Sequence, residues 1–286
     1  MEEFRLDGLT VKEHLLILAE DGNRKFTEGL HPGVEHVLGI RLPALRKLAA
    51  RIAKADWERY FDTADGFYME ERMLQGMVLG CIRPDEDVEV YLHRVTRFVW
   101  IINSWSVCDT FKFGGGKAFI RRNEARLWEY LKEWMKASGE YEVRFGVVMG
   151  MSYFLDEAHL EEYLSLLDGI RHEGYYVRMA VAWALSFCFV KFPEQTMAFL
   201  TVGMLTGAIW AKAAWGHYWS WDPKETWAAV TWTGYLLYVH LRLFRRNTPR
   251  ALYWILIVSF LSLQMCWYGV NYLPAAQQSV HLYNRS

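Results

Sequence analysis

The chain has 286 residues and a formal net charge of −1, and 52% of its residues are hydrophobic, 16% aromatic and 23% charged. Because the net charge is so close to neutral, the composition alone does not predict a partner that is attracted by charge. The charges are unevenly distributed, because only Asp222 and Glu225 are acidic after residue 200, whereas the preceding part has an excess of acidic residues. The composition therefore predicts two unlike parts.

The four cysteines, Cys81, Cys108, Cys188 and Cys266, are scattered and form no Cys-x-x-Cys pair. This spacing supports neither a zinc ribbon, nor a thiol-disulfide motif, nor covalent haem attachment. The N-terminus, MEEFRLDGL, is acidic and has no apolar core region, so it does not read as a secretory signal. We expect the first part of the chain to be cytoplasmic.

The first 200 residues have the pattern of successive amphipathic helices. Thr10-Val-Lys-Glu13 is a capping-box sequence, and Pro43 stands just inside a second helix start. Apolar side chains at helical spacing predict further helices over residues 69–82, 88–98, 123–136, 143–154, 159–167 and 175–189. We predict an all-α domain over residues 1–199, with helix pairs stacked as HEAT-like repeats.

Three positions in this region, which carry four notable side chains, are separated by similar numbers of residues. Trp105 and Asp109 are four residues apart and so lie on one helix face, and Arg144 and Trp183 follow at intervals of 35 and 39 residues. These intervals approximate one helix-pair repeat, so the four side chains could line one concave surface. Two indoles, a carboxylate and a guanidinium would suit a cationic nucleoside beside a phosphate backbone. The alternative is that the tryptophans fill the helix cores.

The same region resembles the DNA alkylation repair (AlkD-like) family in the segments IINSWSVCDTF (101–111), YEVRF (141–145) and YYVRMAVAWAL (175–185). That family is built of HEAT-like repeats and includes glycosylases that remove alkylated purines without flipping the base. The resemblance implies that Trp105 and Trp183 flank the lesion sugar and that Asp109 stabilises the oxocarbenium-like transition state. It also implies that Arg144 holds the DNA backbone, a contact that positions without reading sequence.

One position in these segments departs from the family pattern. Met179 replaces a lysine often found in the helix of Trp183, which leaves Arg178 as the neighbouring DNA-binding cation.

Residues 215–227, WGHYWSWDPKETW, place four tryptophans, a tyrosine and a histidine around one Asp-Pro turn. Asp222-Pro223 predicts a turn followed by a helix that begins near Lys224. Large aromatic side chains before an apolar run are typical of an aromatic belt at the membrane boundary. They would equally form a flat apolar shelf for a planar ligand.

This stretch resembles the WWD signature of the cytochrome c assembly proteins that handle haem (the CcsA, CcmC and CcmF types). In that family the segment forms an external platform under haem. The resemblance therefore implies haem as a cofactor, bound by Trp215, Trp219, Trp221, Asp222 and Trp227. It further implies that His240 is a transmembrane histidine used in haem passage and that His281 is an external iron ligand.

Three apolar runs, residues 196–214, 227–244 and 251–273, have about the length of a membrane span. The connection between the last two carries Arg242, Arg245, Arg246 and Arg250, and the positive-inside rule places it in the cytoplasm. The sequence thus predicts a small α-helical transmembrane region over residues 200–286. The protein would be a multi-pass component of the inner (cytoplasmic) membrane, with its N-terminal domain cytoplasmic and the WWD loop and C-terminus outside.

The preferred interpretation is a membrane-anchored fusion protein that handles haem for cytochrome c assembly as a carrier. The earlier membrane helices of that family have no counterpart here, so other cytochrome c assembly subunits would supply the missing haem ligands. The alternative is a DNA alkylation repair glycosylase, or a non-catalytic HEAT-repeat relative that binds DNA. A third interpretation is a chimeric product of two unrelated coding sequences that performs neither role.

Overall fold

The computed structural model describes residues 3–84, 87–216, 218–219, 221–243 and 249–267. In these ranges the regular structure is helical apart from one short antiparallel hairpin of β1 (Arg5–Leu6) and β2 (Leu9–Thr10). The helices are α1 (Val11–Leu18), α2 (Asp21–Leu30), α3 (Leu42–Ile52), α4 (Trp57–Thr63), α5 (Met69–Cys81), α6 (Val88–Val99), α7 (Trp105–Thr110), α8 (Gly116–Arg122), α9 (Glu124–Met135), α10 (Glu140–Tyr153), α11 (Leu160–Gly169), α12 (Tyr175–Lys191), α13 (Pro193–Trp215), α14 (Pro223–Leu243) and α15 (Pro249–Trp267). The expectation of a helical protein is confirmed.

The helix starts follow the local sequence signals. Thr10 Oγ1 accepts a hydrogen bond from the Glu13 amide at 3.2 Å, and Glu13 Oε2 accepts one from the Thr10 amide at 2.7 Å. This reciprocal pair is the predicted capping box of α1. Pro43 lies in the first turn of α3, as predicted.

The β1–β2 hairpin was not predicted, although its Asp7-Gly8 turn, with φ of 51° and 83°, uses a favoured turn sequence.

The described residues up to Ala184 form one compact unit, and those from Leu185 onward form a second. In the first unit α9 packs on α10, and α5 packs on both α3 and α7. Its core is rich in fully buried aromatic side chains, namely Tyr60, Tyr91, Phe98, Phe111, Phe145, Phe154 and Tyr163. The predicted HEAT-like repeat and the predicted boundary after residue 199 stay predictions.

The loop between α2 and α3 is fixed by a buried carboxylate. Glu70 is 1% exposed, and its oxygens accept hydrogen bonds from the backbone amides of Leu38, Gly39 and Ile40 at 2.7–3.3 Å. These charge-assisted bonds offset the cost of removing the carboxylate from water. Gly39 has φ +74°, and a Cβ there would lie 2.4 Å from a backbone nitrogen of α2. These contacts hold the end of the loop closely against α2 and α5.

The second unit is built from α13, α14, α15 and the end of α12. Its apolar core consists of Phe189, Met197, Tyr235 and Tyr238. The indole N–H of Trp232 donates to Thr201 Oγ1 at 2.9 Å, which ties α14 to α13. Gly234 lets α14 approach α15 closely, because a Cβ there would lie 2.4 Å from a side-chain oxygen of α15.

The described residues of the three apolar runs predicted as membrane spans lie in the helices α13, α14 and α15. Among the residues described, however, no helix is both long and apolar enough to cross a membrane. The prediction of membrane-spanning helices is corrected to that extent. Two of the four arginines on which the predicted orientation depends, Arg245 and Arg246, lie outside the described residues.

Glu71 is a second buried carboxyl group in the first unit, with 6% of its surface exposed. Burial raises its pKa from 4.5 to about 7, with further contributions from a hydrogen bond to Asp65 and from the charge of that residue. Between these two values the folded chain keeps a proton that the unfolded chain has released. The contribution of Glu71 to stability therefore falls as the pH rises from about 4.5 to 7.

We expect Glu71→Gln to remove this pH dependence, because the amide does not titrate. The free energy of unfolding of wild type should fall by roughly 2–3 kcal/mol between pH 4.5 and 7 on account of Glu71. Urea denaturation at several pH values, followed by tryptophan fluorescence, measures the slope. The exposed carboxylate Glu157, changed to Gln, provides the matched control and should keep the wild-type slope. An unchanged slope in Glu71→Gln would contradict the assignment.

Candidate functional site

A buried ion pair joins α7 to α10. Arg144 Nε donates to Asp109 Oδ1 at 3.0 Å, and Arg144 Nη2 donates to Asp109 Oδ2 at 2.6 Å. The Arg144 side chain is 3% exposed and that of Asp109 is 17% exposed. This two-point contact fixes the plane and direction of the carboxylate. Two of the four predicted site residues are thus brought into direct contact.

Arg144 also ties the pair to α12. Its Nη1 donates to the backbone carbonyl of Tyr176 at 2.9 Å. Burial lowers the pKa of Arg144, but the hydrogen bond and the charge of Asp109 outweigh this, so the pKa is raised above its ordinary value. The guanidinium is therefore a permanent cation whose N–H groups are directed inward, at one carboxylate and one carbonyl.

The start of α12 is held by two further contacts. The amide of Tyr176 donates to Glu140 Oε1 at 2.7 Å, and the rings of Tyr141 and Tyr176 stack with centroids 5.5 Å apart. Burial, together with the neighbouring Tyr176, raises the pKa of Tyr141. The three helices that carry the predicted site residues are thus linked by hydrogen bonds and ring contacts around Asp109.

Trp105, the first residue of α7, is half-buried, and its indole is held at both its edge and its face. The indole N–H donates to the carbonyl of Leu30 at 3.2 Å. The ring stacks on His31, with centroids 4.9 Å apart and planes inclined by 8°. Trp105 and Asp109 share one helix, as predicted, with the indole one turn before the carboxylate.

The His31 ring is itself fixed by hydrogen bonds at both nitrogens. Its Nδ1 lies 2.7 Å from the carbonyl oxygen of Thr27, and its Nε2 lies 2.6 Å from Ser106 Oγ. Because a carbonyl can only accept, Nδ1 carries the proton, and the Nε2 of a neutral ring accepts from the Ser106 hydroxyl. His31 is 4% exposed and Ser106 is 8% exposed. Sequence reasoning missed both residues, because 75 positions separate them and no periodic pattern relates them.

Trp183 and Arg178 both lie on α12. Trp183 is 38% exposed, in line with the exposed side chains of Tyr175 and Met179 at four-residue spacing. Arg178 is 52% exposed and forms an ion pair with Glu173 at 3.0 Å. Trp183 is seven residues after Tyr176, whose carbonyl binds Arg144, so the two positions share one helix face.

The WWD stretch leads into a well-capped helix. Asp222 Oδ1 accepts from the Lys224 amide at 2.9 Å, and Glu225 Oε2 accepts from the Asp222 amide at 3.3 Å. This arrangement starts α14 at Pro223, one residue before the predicted position. Trp227 lies in the second turn of α14 and is half-buried.

Trp221 has an unusual backbone conformation directly before this cap. Its φ of +56° lies in the left-handed region, which a bulky side chain rarely adopts. Its indole is 75% exposed and meets the Trp219 ring edge to face, with centroids 6.1 Å apart. Such strain persists only where the surroundings enforce it, and it is frequent at functional sites. The stretch therefore presents Trp221 outward at a conformational cost.

Of the two predicted iron ligands, His240 lies far from these tryptophans and His281 is not among the described residues. His240 lies near the far end of α14, roughly 27 Å from Asp222 by the rise of an α-helix. His281 lies outside the described residues, and Trp215 is described only as the last residue of α13. Within the described part of the chain no group of three or more His, Cys, Asp or Glu side chains could hold a metal ion.

The sequence of this chain matches two families of known proteins. A family model described as DNA alkylation repair enzyme matches residues 11–210, which is more than half of the chain. The chain belongs to this DNA alkylation repair family. A second family model, described as cytochrome C assembly protein, matches residues 169–276. The predicted two-family composition is confirmed.

Curated relatives of the C-terminal part carry the name cytochrome c biogenesis protein CcsA. The protein from Liriodendron tulipifera is 37% identical over 125 residues, which cover 43% of this chain and 39% of the relative. The protein from Lemna minor is 33% identical over 132 residues, which cover 44% of this chain and 41% of the relative. The chain thus spans about two fifths of the length of these relatives. No solved structure gives a significant match.

Proposed function

We propose that the N-terminal unit binds alkylated DNA and releases cationic alkylated purines. The observation that carries this proposal is the Asp109 carboxylate, fixed at both oxygens by Arg144, one helical turn from the indole of Trp105. A carboxylate held in place before the reaction stabilises positive charge that develops on a sugar without needing to reorganise. Cleavage of the bond between sugar and base develops such a charge.

The two exposed or half-exposed indoles suit the same substrate. An indole face attracts a cation by about 0.5–2 kcal/mol, so Trp105 and Trp183 favour a positively charged base or sugar over a neutral one. Asp109 attracts the same charge. Together these groups favour an alkylated purine nucleoside, whose ring carries a positive charge, over an ordinary nucleoside.

The contacts of Arg144 favour a different role from the one the resemblance implies. Its guanidinium is 3% exposed and already donates to Asp109 and Tyr176. We therefore assign Arg144 to orienting Asp109. Arg178 is 52% exposed, and its guanidinium can exchange Glu173 for a phosphate of the DNA backbone.

Asp109→Asn should reduce the release of 7-methylguanine from a defined duplex by at least about 100-fold, because the amide keeps the shape but loses the charge. Binding of the duplex should persist, since the phosphate contacts remain. Release is measured by chromatography of free base under single-turnover conditions with the full chain. The exposed aspartate Asp168, changed to Asn, is the matched control and should retain release. Wild type that neither releases base nor retains duplex at low salt would refute this function.

A second function is proposed for the C-terminal unit, namely haem handling in cytochrome c assembly. It is supported by the outward indole of Trp221, held in a left-handed conformation between Trp219 and the Asp222–Glu225 cap. The exposed indole of Trp221, beside the half-buried ring of Trp219, offers an apolar surface to a porphyrin ring. The protein would act here as a carrier rather than as an enzyme.

The remaining features of this second function follow from the similarity to cytochrome c biogenesis proteins. We propose that His281 ligates the iron of haem resting on the WWD stretch and that His240 serves at another stage, because the length of α14 separates it from that stretch. Other cytochrome c assembly subunits would supply the remaining ligands. The protein would act at the inner (cytoplasmic) membrane, with the WWD loop and C-terminus outside.

Trp221→Ala should lower the haem retained by the purified full chain severalfold, because it removes a 75% exposed ring, the most exposed among the described side chains of the stretch. The Soret absorbance per protein after expression with added haem measures this retention. Trp254, a 66% exposed indole on α15, provides the matched control, and Trp254→Ala should retain haem like wild type. The proposal fails if wild type retains no haem, or if both substitutions lower retention equally. Failure of the base-release and haem assays together would support the third interpretation, a chimeric product without either function.

A further inference from the structure

The residues that end α2 hold the Trp105 indole from two directions. The carbonyl of Leu30 accepts the indole N–H at 3.2 Å, and the neighbouring His31 ring covers one indole face at a centroid distance of 4.9 Å. The interplanar angle of 8° makes this a parallel stack. One residue pair thus fixes both the tilt and the in-plane rotation of the indole.

The His31 ring cannot turn away without losing both of its hydrogen bonds. Thr27 accepts at Nδ1 and Ser106 occupies Nε2, at 2.7 Å and 2.6 Å. Ser106 directly follows Trp105 in α7, so the same short helix supplies the indole and the group that locks the ring beneath it. The loop after His31 is in turn fixed by the hydrogen bonds of Glu70.

The stack on His31 matters for a cationic ligand of Trp105. Nδ1 of His31 donates to the carbonyl of Thr27, and Nε2 forms a hydrogen bond with the hydroxyl of Ser106. The electron density of an indole face attracts a cation. A ligand must use the opposite face of the Trp105 indole, since His31 covers the first.

We propose that His31 is a positioning residue that fixes Trp105 so that its opposite face receives the cationic ring or sugar of an alkylated nucleoside. This inference rests on the proposed action of the N-terminal unit on DNA. The substrate, Trp105 and His31 form a three-layer stack, and Ser106 sets the orientation of the lowest layer. The role of His31 is exerted through Trp105, and His31 itself does not touch the substrate.

The first test uses the full chain labelled with 5-fluorotryptophan, in which the Trp105 fluorine resonance is assigned from its loss in Trp105→Phe. In wild type this resonance should be a single sharp line. His31→Ala should shift and broaden it, because the indole loses its stacked partner and gains rotational freedom. Ser106→Ala, which removes only the hydroxyl, should broaden it less, and the exposed His93, changed to Ala, should leave it unchanged. An unchanged Trp105 resonance in both His31→Ala and Ser106→Ala would overturn the proposal.

The second test measures the ratio of dissociation constants for a duplex with one 7-methylguanine and for the same duplex with guanine. His31→Ala should reduce this preference by roughly three- to tenfold, the range expected for losing a well-placed cation–π contact. His31→Phe, which keeps an aromatic ring, should restore most of the preference. A preference equal to wild type in His31→Ala would contradict the proposal. Wild type that binds neither duplex would refute the function on DNA, whereas the fluorine resonances would still decide whether His31 positions Trp105.

Discussion

The ion pair between Asp109 and Arg144 is the interaction on which the N-terminal unit depends. Burying a guanidinium that is 3% exposed costs free energy unless acceptors face its N–H groups, and the Asp109 carboxylate supplies two of them. Since Arg144 also donates to the Tyr176 carbonyl, α7, α10 and α12 are held to one another through a single side chain. The orientation of the candidate catalytic carboxylate is therefore a consequence of the same bonds that hold the helices together.

The C-terminal unit obeys a different constraint. Its core is small and aromatic, and its best-defined polar feature is the cap that starts α14 directly after the left-handed Trp221. The two family matches overlap over residues 169–210, which include all of α12. That helix carries residues used in both units, since Tyr176 accepts from Arg144 and Phe189 belongs to the second core. Substitutions in α12 are therefore constrained at its start by the contact with Arg144 and near its end by the packing of Phe189.

The local features could be predicted from the sequence, because they depend on neighbouring residues. Helical spacing located α5, α6, α9, α10, α11 and α12 to within a few residues, and the capping signals at Thr10 and Asp222 gave correct helix starts. The i, i+4 relation of Trp105 and Asp109 also held. The contacts of His31 with Ser106 and of Glu70 with Leu38 could not be predicted, because they join residues 75 and 32 positions apart without a repeating pattern. The ion pair of Arg144 with Asp109 and the left-handed backbone of Trp221 likewise depend on tertiary contacts, which local sequence does not reveal.

The measurement that tests this account most directly is a double-mutant cycle of Asp109→Asn and Arg144→Met in the full chain. Hydrogen exchange of α10 peptides, followed by mass spectrometry, gives the opening free energy of the N-terminal unit for each variant. If the pair anchors the unit, each single substitution should cost roughly 3 kcal/mol or more, and the coupling energy should reach about 2 kcal/mol, since the double variant leaves no unpaired buried charge. A coupling energy near zero would show that Asp109 and Arg144 act independently and would contradict the account.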